Sequence, residues 1–143
     1  EGAHTGTITH SASGGGYNGV SVPSVSTDIN DNDTPGVTIT QPVCLTDVTE
    51  GGATDTYTVV LNSQPTASVT ITVTGDAQAS AAPASLTFTT ANWNTAQTVT
   101  VTAVNDLVAE GAHTGTITHS ASGGGYNGVS IANVTANITD NDT

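Results

Sequence analysis

The feature that most constrains the fold is an internal repeat. The segment EGAHTGTITHSASGGGYNGVS begins at Glu1 and returns unchanged at Glu110, an offset of 110 − 1 = 109 residues. Of the 34 overlapping positions 27 are identical, and both copies end on DNDT. A solenoid unit has a period of roughly 20–50 residues, whereas a small domain has about 100. The repeat therefore predicts tandem domains of period 109, and the alternative is an old duplication inside a single domain.

The repeat also predicts where the domains divide. Residues 35–143 would form one complete repeat, and residues 1–34 the C-terminal two-strand tail of a preceding repeat. Two strands with an uncovered apolar face are not stable alone in water. The tail must therefore pack either on upstream chain or on a neighbouring molecule, as a donated strand does. Because the chain has no Met and no visible signal peptide, we expect it to belong to a longer polypeptide.

Apolar and polar residues alternate along most of the complete repeat, as in SVTITVTG and QTVTVTAV. Residues i and i+2 of a strand share a face, so these runs predict half-buried strands, and no run shows helical periodicity. Turn-forming stretches recur every 8–15 residues or so, which favours an antiparallel sandwich or barrel. Trp93, in the loop before one such run, is expected to cover the end of the sandwich rather than to bind a ligand. The predicted strands lie near residues 37–40, 44–49, 55–62, 68–74, 85–89, 97–103, 113–120 and 129–139.

The charge of the chain restricts its partners. There is no Lys or Arg, and twelve acidic residues give a formal charge of −12. Such a chain does not attract nucleic acid or anionic membrane surfaces, and no apolar run reaches the roughly 18–20 residues of a spanning helix. Clustered carboxylates without basic partners need water or bound cations between them. We therefore expect a secreted or cell-surface protein in a salty or calcium-bearing medium. Halophilic adaptation is the less suitable explanation of the acidity, because only 8% of the residues are charged and halophilic proteins usually carry more.

Most acidic residues lie at predicted strand ends. Several turns of a Greek-key sandwich can meet at one pole, where their acidic residues would come together. Calcium binds roughly six to eight oxygen ligands, most of them from carboxylates and carbonyls. Three or four converging carboxylates would repel one another unless a cation joined them. The alternative is that these acids cap turns and stay hydrated.

Three stretches, VTEGGATDTYTVVLNSQPTASVTITVT, LTFTTANWNTAQTVTVTAVNDLVAEGAHTGTITHS and ITDND, resemble a known family. They are similar to the Calx-beta-like tandem repeats of bacterial extracellular and surface proteins, over nearly all of residues 36–142 and again over 1–33. The resemblance implies an all-β, immunoglobulin-like Greek-key β-sandwich of about seven strands. It also implies calcium bound at one pole, at the domain boundary.

By this resemblance the metal ligands form two sets. The chain departs from the family pattern, because Asn105 precedes Asp106 where two aspartates are common, DND replaces DDD, and EGAHT replaces EGxET. Fewer carboxylates imply fewer or weaker calcium ions. The implied ligands are Glu50, Asp76, Asp106, Glu110, Asp140 and Asp142 in the complete repeat, and Glu1, Asp31 and Asp33 in the preceding one.

Other metal and redox sites find less support in the sequence. His113 and His119 lie six residues apart on one predicted strand, about 20 Å, which is too far to share a metal. Cys44 is the single cysteine, so a disulfide within the chain is excluded. We interpret Cys44 as a small buried apolar residue, with an interchain bridge as the alternative.

No nucleophile–base arrangement or phosphate-binding loop is present, so the chain is not expected to be an enzyme. The predicted function is that of a structural repeat module of an extracellular surface protein, fibre or filament, with calcium at the repeat junctions as an added stiffener. Its partners would be neighbouring repeats or identical subunits, and Pro35 would limit bending at the junction. The alternative is an adhesive module that recognises carbohydrate or ice through Thr-rich sheet faces. These faces contain Thr70, Thr72, Thr74, Thr98, Thr100 and Thr102.

Overall fold

The structure, a computed structural model, describes residues 3–42 and 45–143. The predictions for Glu1 and Cys44 therefore lie outside the described residues. Those residues form strands and no helix, and the chain divides into two compact units, residues 1–33 and 34–143. We call the first unit the tail and the second the body. The strands are β1 (His4–Ile8), β2 (Val25–Ile29), β3 (Val37–Thr40), β4 (Thr46–Thr49), β5 (Asp55–Leu61), β6 (Val69–Thr74), β7 (Ala79–Ala82), β8 (Ser85–Phe88), β9 (Gln97–Ala103), β10 (His113–Ser122) and β11 (Val134–Thr139).

The tail is one antiparallel hairpin. Strands β1 and β2 pair from His4 opposite Ile29 to Ile8 opposite Val25. The glycine-rich stretch between them needs glycine, since Gly14 adopts a φ of 83° that other residues rarely adopt. The apolar side chains of the hairpin are largely exposed, with Ile8 at 54% and Tyr17 at 64%. The tail thus leaves uncovered an apolar surface that a folded protein normally buries.

The body is a sandwich-like arrangement of two sheets. One sheet has the strand order β4-β11-β10-β6-β8 and the other β3-β5-β9-β7. The alternating sequence pattern explains why the two sheets pack face to face. Every second residue of β5, β6 and β9 is buried between them, and the residues in between face outward. The largest side chains of the core are Tyr57, Tyr126, Phe88, Ile71, Ile117 and Ile138.

The two copies of the repeat form the same hairpin in different surroundings. In the body, β10 and β11 pair from His113 opposite Ile138 to Ile117 opposite Val134, the same register as in the tail. Ile117 is fully buried, whereas its counterpart Ile8 is not. In the body the hairpin is covered because β10 also pairs with β6 and β11 with β4. Local sequence therefore determines the hairpin, and the surrounding strands determine its burial.

The all-β prediction is confirmed, with two corrections. Strand β7 was not expected, because its sequence ASAA lacks bulky alternating residues; it forms by pairing with β9, and Ala79 is fully buried. Strand β4 pairs with β11 in parallel rather than antiparallel. Trp93 is half-buried against the core and its carbonyl accepts a hydrogen bond of 3.2 Å from the Leu61 amide. Among the described residues, none belongs to a helix long and apolar enough to cross a membrane.

The threonine rows lie on two different sheets. Thr70, Thr72 and Thr74 belong to β6 in the five-stranded sheet. The residues at positions 98, 100 and 102 belong to β9 in the four-stranded sheet. Because the two sheets present their outer faces in opposite directions across a sandwich, the rows do not join into a single flat surface.

Candidate metal centre

The centre of the candidate site is Glu50, which begins the turn after β4. Its backbone amide donates to the Thr139 carbonyl at 3.0 Å, so the turn is fixed to the end of β11. Gly51 follows with a φ of 60°, which allows the chain to reverse there. The Glu50 side chain is only 1% exposed. It is thus a buried carboxylate at a sheet end, where a charge needs compensation.

Among residues 3–42 and 45–143, two groups of possible ligands share Glu50. One contains the carboxylates of Glu50, Asp106 and Asp142, and the other contains Glu50, Glu110 and His113. Within each group the three ligand atoms lie within 4.8 Å of one another. They come from the turn after β4, the loop between β9 and β10, the start of β10 and the segment after β11. A cation bound there would connect segments that are far apart in sequence.

Several polar atoms of these groups are buried without partners. Among the described residues, no hydrogen-bond partner exists for either carboxylate oxygen of Glu50, for Nε2 of His113 or for Oδ2 of Asp142. Nearly all buried polar atoms in native proteins are hydrogen-bonded, so each exception needs an explanation. A cation bound beside Glu50 would give these four atoms a partner.

Both carboxylate oxygens of Asp140 accept hydrogen bonds from backbone amides. Its Oδ2 accepts hydrogen bonds from the amides of Glu110 at 2.6 Å and Gly111 at 2.7 Å. Its Oδ1 accepts one from the Asp142 amide at 2.8 Å. These bonds, that from Asp142 first, hold the pKa of the Asp140 carboxyl below its ordinary value. Asp140 belongs to neither ligand group and instead positions the loop before β10 against the end of β11.

Asp76 is also occupied by backbone donors. Its Oδ1 accepts from the amides of Gln78 and Ala79, both at 2.9 Å, and its Oδ2 from the Thr116 amide at 2.7 Å. Burial alone would raise the pKa of this carboxyl, but the hydrogen bonds outweigh it and the pKa is lowered. Asp76 therefore connects the start of β7 to β10 and lies in neither ligand group.

Asparagine side chains complete the scaffold. The Asn141 amide nitrogen donates to the Glu50 carbonyl at 3.0 Å and to Oδ1 of Asn105 at 2.9 Å. These two asparagines thus bond to each other and hold the loops together. Oδ1 of Asp106 accepts from the Val108 amide at 2.7 Å, which fixes this carboxylate in its own loop.

The electrostatics of the site favour a positive charge. Burial, followed by the Asp140 and Asp106 carboxylates, raises the pKa of the Glu50 carboxyl above its ordinary value. The nearby backbone amide of Asp106 and the His113 ring partly oppose this. The pKa of His113 is raised, first by its hydrogen bond to the Gly111 carbonyl, against the opposing effect of burial, and then by the nearby carboxylates. In both cases the neighbouring carboxylates raise the pKa further, after burial for Glu50 and after the Gly111 bond for His113.

The predicted site residues of the tail are only partly described. Oδ1 of Asp31 accepts a hydrogen bond from the Asp33 amide at 2.9 Å, the same turn that Asp140 and Asp142 make. Neither Asp31 nor Asp33 belongs to a ligand group among the described residues.

His113 belongs to a ligand group but not to the predicted set of site residues. The signal for it in the sequence is the stretch EGAHT, which places a histidine three residues after Glu110.

The second histidine of β10 predicts a pH dependence. Nδ1 of His119 lies 3.0 Å from the Ala132 carbonyl and therefore donates to it, so Nε2 accepts from the Tyr57 hydroxyl at 2.7 Å. Burial lowers the pKa of His119, partly opposed by the Ala132 bond. The unfolded chain thus takes up this proton first, and the contribution of His119 to stability falls as the pH drops below the ordinary value of 6.5.

We expect His119→Gln to flatten the decline in the free energy of unfolding between pH 8 and pH 5, and to cost about 1 kcal/mol at pH 8 through the lost hydrogen bond. Denaturant unfolding at several pH values measures both effects. His10→Gln, in the tail, is the control. An unchanged pH profile in His119→Gln would contradict the assignment.

No protein-family model matches the chain, and a search of curated proteins gives no match either.

Proposed function

We propose that this chain is a structural repeat module of an extracellular surface protein, fibre or filament, built from immunoglobulin-like Greek-key sandwiches in tandem. One observation carries the proposal: the same hairpin sequence is present twice, once buried in the body and once with its apolar side chains exposed. A monomeric protein rarely leaves such a surface uncovered. The tail is therefore part of a second sandwich.

The mechanism is the alignment of successive sandwiches. The tail completes the body of another repeat, either in the same polypeptide or in an identical subunit. Only the short DNDTPG segment then separates one sandwich from the next. Pro35 restricts φ in this segment, so neighbouring sandwiches have a limited range of relative orientations.

A calcium ion bound at the acidic end of the body would serve this role. Glu50, Asp106 and Asp142 offer an all-oxygen group, which is the ligand type that calcium prefers. The unpartnered oxygens of Glu50 and Asp142 fit a cation better than they fit hydration. When bound, calcium supplies two positive charges between three loops, and Asp142 lies directly before the end of the repeat.

Calcium is therefore expected to stabilise the body. At a free concentration of about 100 times Kd, a ligand that binds only the folded state adds about 2.7 kcal/mol. Thermal unfolding in calcium and in EGTA measures this increment. Glu50→Gln should abolish it, whereas Asp76→Asn should lower the baseline stability and keep the increment. Equal midpoints of the parent chain in calcium and EGTA would contradict calcium binding.

Electron microscopy of the native full-length protein tests the structural role itself. We expect linear arrays of sandwich-sized beads. Isolated globular particles at all concentrations would contradict it.

A further inference from the structure

We propose that Glu50, Glu110 and His113 form a second metal site, which takes a divalent transition-metal cation of the zinc class. This site is distinct from the all-oxygen group and shares only Glu50 with it. Nε2 of His113 lies 3.7 Å from Oε1 of Glu50 and 3.4 Å from Oε2 of Glu110. The proposal does not depend on calcium binding or on tandem assembly.

Burial provides the first independent support. The Glu50 side chain is 1% exposed, and within the described residues neither of its oxygens has a hydrogen-bond partner. Nε2 of His113 is likewise buried and has no hydrogen bond within the described residues, although two carboxylates lie near it. Acidic residues cluster on many surfaces without a metal, but a fully buried carboxylate beside an unpartnered imidazole nitrogen is not explained by surface hydration.

The tautomer of His113 provides the second support. Nδ1 lies 2.8 Å from the Gly111 carbonyl, which only accepts, so Nδ1 carries a proton. In the neutral ring Nε2 then directs its lone pair towards the two carboxylates. A lone pair that faces carboxylates is unfavourable, and a proton or a metal ion on Nε2 removes the repulsion. Histidines that bind metals usually donate their other ring N–H to a carbonyl or carboxylate in this way.

The spacing matches a tetrahedral ion. Zinc–nitrogen and zinc–oxygen bonds of about 2.0–2.2 Å at a tetrahedral angle separate the two ligand atoms by about 3.4 Å. The observed separations of 3.4 Å and 3.7 Å are close to this value. Ligand chemistry points the same way, because imidazole suits zinc, copper and nickel, whereas calcium and magnesium select oxygen.

The surrounding backbone holds the ligands in place. Asp140 accepts hydrogen bonds from the amides of Glu110 and Gly111, and Gly111 in turn accepts from His113. The Glu110 carboxylate also accepts from Gln78 at 3.4 Å. Loop position and ring orientation are thus set before a metal arrives, which is the role that outer contacts have in metal sites.

Titration calorimetry of the full chain with Zn²⁺ tests the proposal, and Co²⁺ provides a spectroscopic readout of four-coordinate geometry. We expect one ion bound through these residues and a loss of affinity of about tenfold or more in His113→Gln. Glu110→Gln changes a partly exposed side chain and should weaken binding without affecting folding. His4→Gln is the matched control, since His4 has the same place in the first copy of the repeat.

Two substitutions distinguish the proposed calcium site from the proposed zinc site. Asp106→Asn should remove the stabilisation by calcium and keep the affinity for zinc. His113→Gln should weaken zinc binding and keep the stabilisation by calcium. Absence of Zn²⁺ binding by the parent chain, or unchanged affinity in both His113→Gln and Glu110→Gln, would overturn the proposal.

Discussion

A body shortened to residues 35–109 is expected to lose its cooperative unfolding transition. The truncation removes β10 and β11, which lie between β4 and β6 in the five-stranded sheet. It also removes Ile117, Val134 and Ile138, each at most 2% exposed. Each buried aliphatic side chain contributes about 1.5–3 kcal/mol through burial, and a domain of this size has only about 5–15 kcal/mol of stability in total.

A peptide of residues 110–143, added separately, should restore the fold. Strand addition of this kind supplies main-chain hydrogen bonds and fills the pockets of the core. Circular dichroism follows recovery of the transition, and calorimetry gives the affinity. Cooperative melting of the shortened body on its own would show that the hairpin is dispensable and would remove the basis for a donated tail.

The tail peptide, residues 1–34, should bind the shortened body less well. Thr27 stands where the body has Ala136, a fully buried residue, so its hydroxyl would enter the core. Asp28 replaces Asn137, whose amide donates to Asp47 at 2.8 Å, and would face that carboxylate instead. A buried hydroxyl without a partner costs about 1–3 kcal/mol, which corresponds to about 5- to 150-fold in affinity.

Unequal binding would mean that each body selects its own hairpin. The tail would then belong to a body whose core accommodates Thr27, and incorrect pairing between successive repeats would be disfavoured. Equal affinity of the two peptides would instead make the hairpins interchangeable.

The second large effect is expected at Tyr126. Its hydroxyl donates to the Ser63 carbonyl at 2.6 Å, accepts from the Ser63 amide at 3.2 Å and lies 3.0 Å from Oγ of Ser63. The side chain is 1% exposed. Tyr126→Ala should lower the free energy of unfolding by about 3–5 kcal/mol, as other buried aromatic truncations do. Tyr126→Phe should cost about 1–3 kcal/mol, because it leaves the Ser63 groups unpaired.

Tyr17 provides a matched control, since it has the same place in GGGYNG of the first copy. Its side chain is mostly exposed, so Tyr17→Ala should change the stability of the body by less than about 0.5 kcal/mol. Trp93 is the single tryptophan, half-buried against the core, and its fluorescence reports the unfolding of the body. Equal effects of the two alanine variants would contradict the difference in burial.

Much of the body could be predicted because its strands alternate strictly. Strand β9 appears with the predicted bounds, residues 97–103. Strand β7 could not be predicted, because small residues carry no periodic signal and Ala79 is buried only through its neighbours. The need for glycine at position 115 could not be predicted either, because it arises from the contact with Ala79, where an added Cβ would lie 2.5 Å from the Ala79 Cβ. Such close packing depends on tertiary contacts that local propensity does not contain.

The convergence of three predicted ligands could be read from the sequence, because acids at strand ends can meet at one end of a sandwich. Glu50, Asp106 and Asp142 do lie together there. Whether a carboxylate is available to a cation depends on which backbone amides reach it. Asp76 receives its third hydrogen bond from Thr116, 40 residues away, and this contact cannot be predicted from local sequence.

The parallel pairing of β4 with β11 has a mechanical consequence. Thr46 lies beside Ala136 and Thr49 beside Thr139, so the first residue of β4 and the last residue of β11 are at opposite ends of the pair. Once the short strand β3 has detached, tension along the polypeptide pulls these two strands past each other lengthwise. Their hydrogen bonds must then break together rather than one after another. We expect the body to resist stretching more strongly than a hairpin opened from its end, a difference that single-molecule pulling measures as unfolding force.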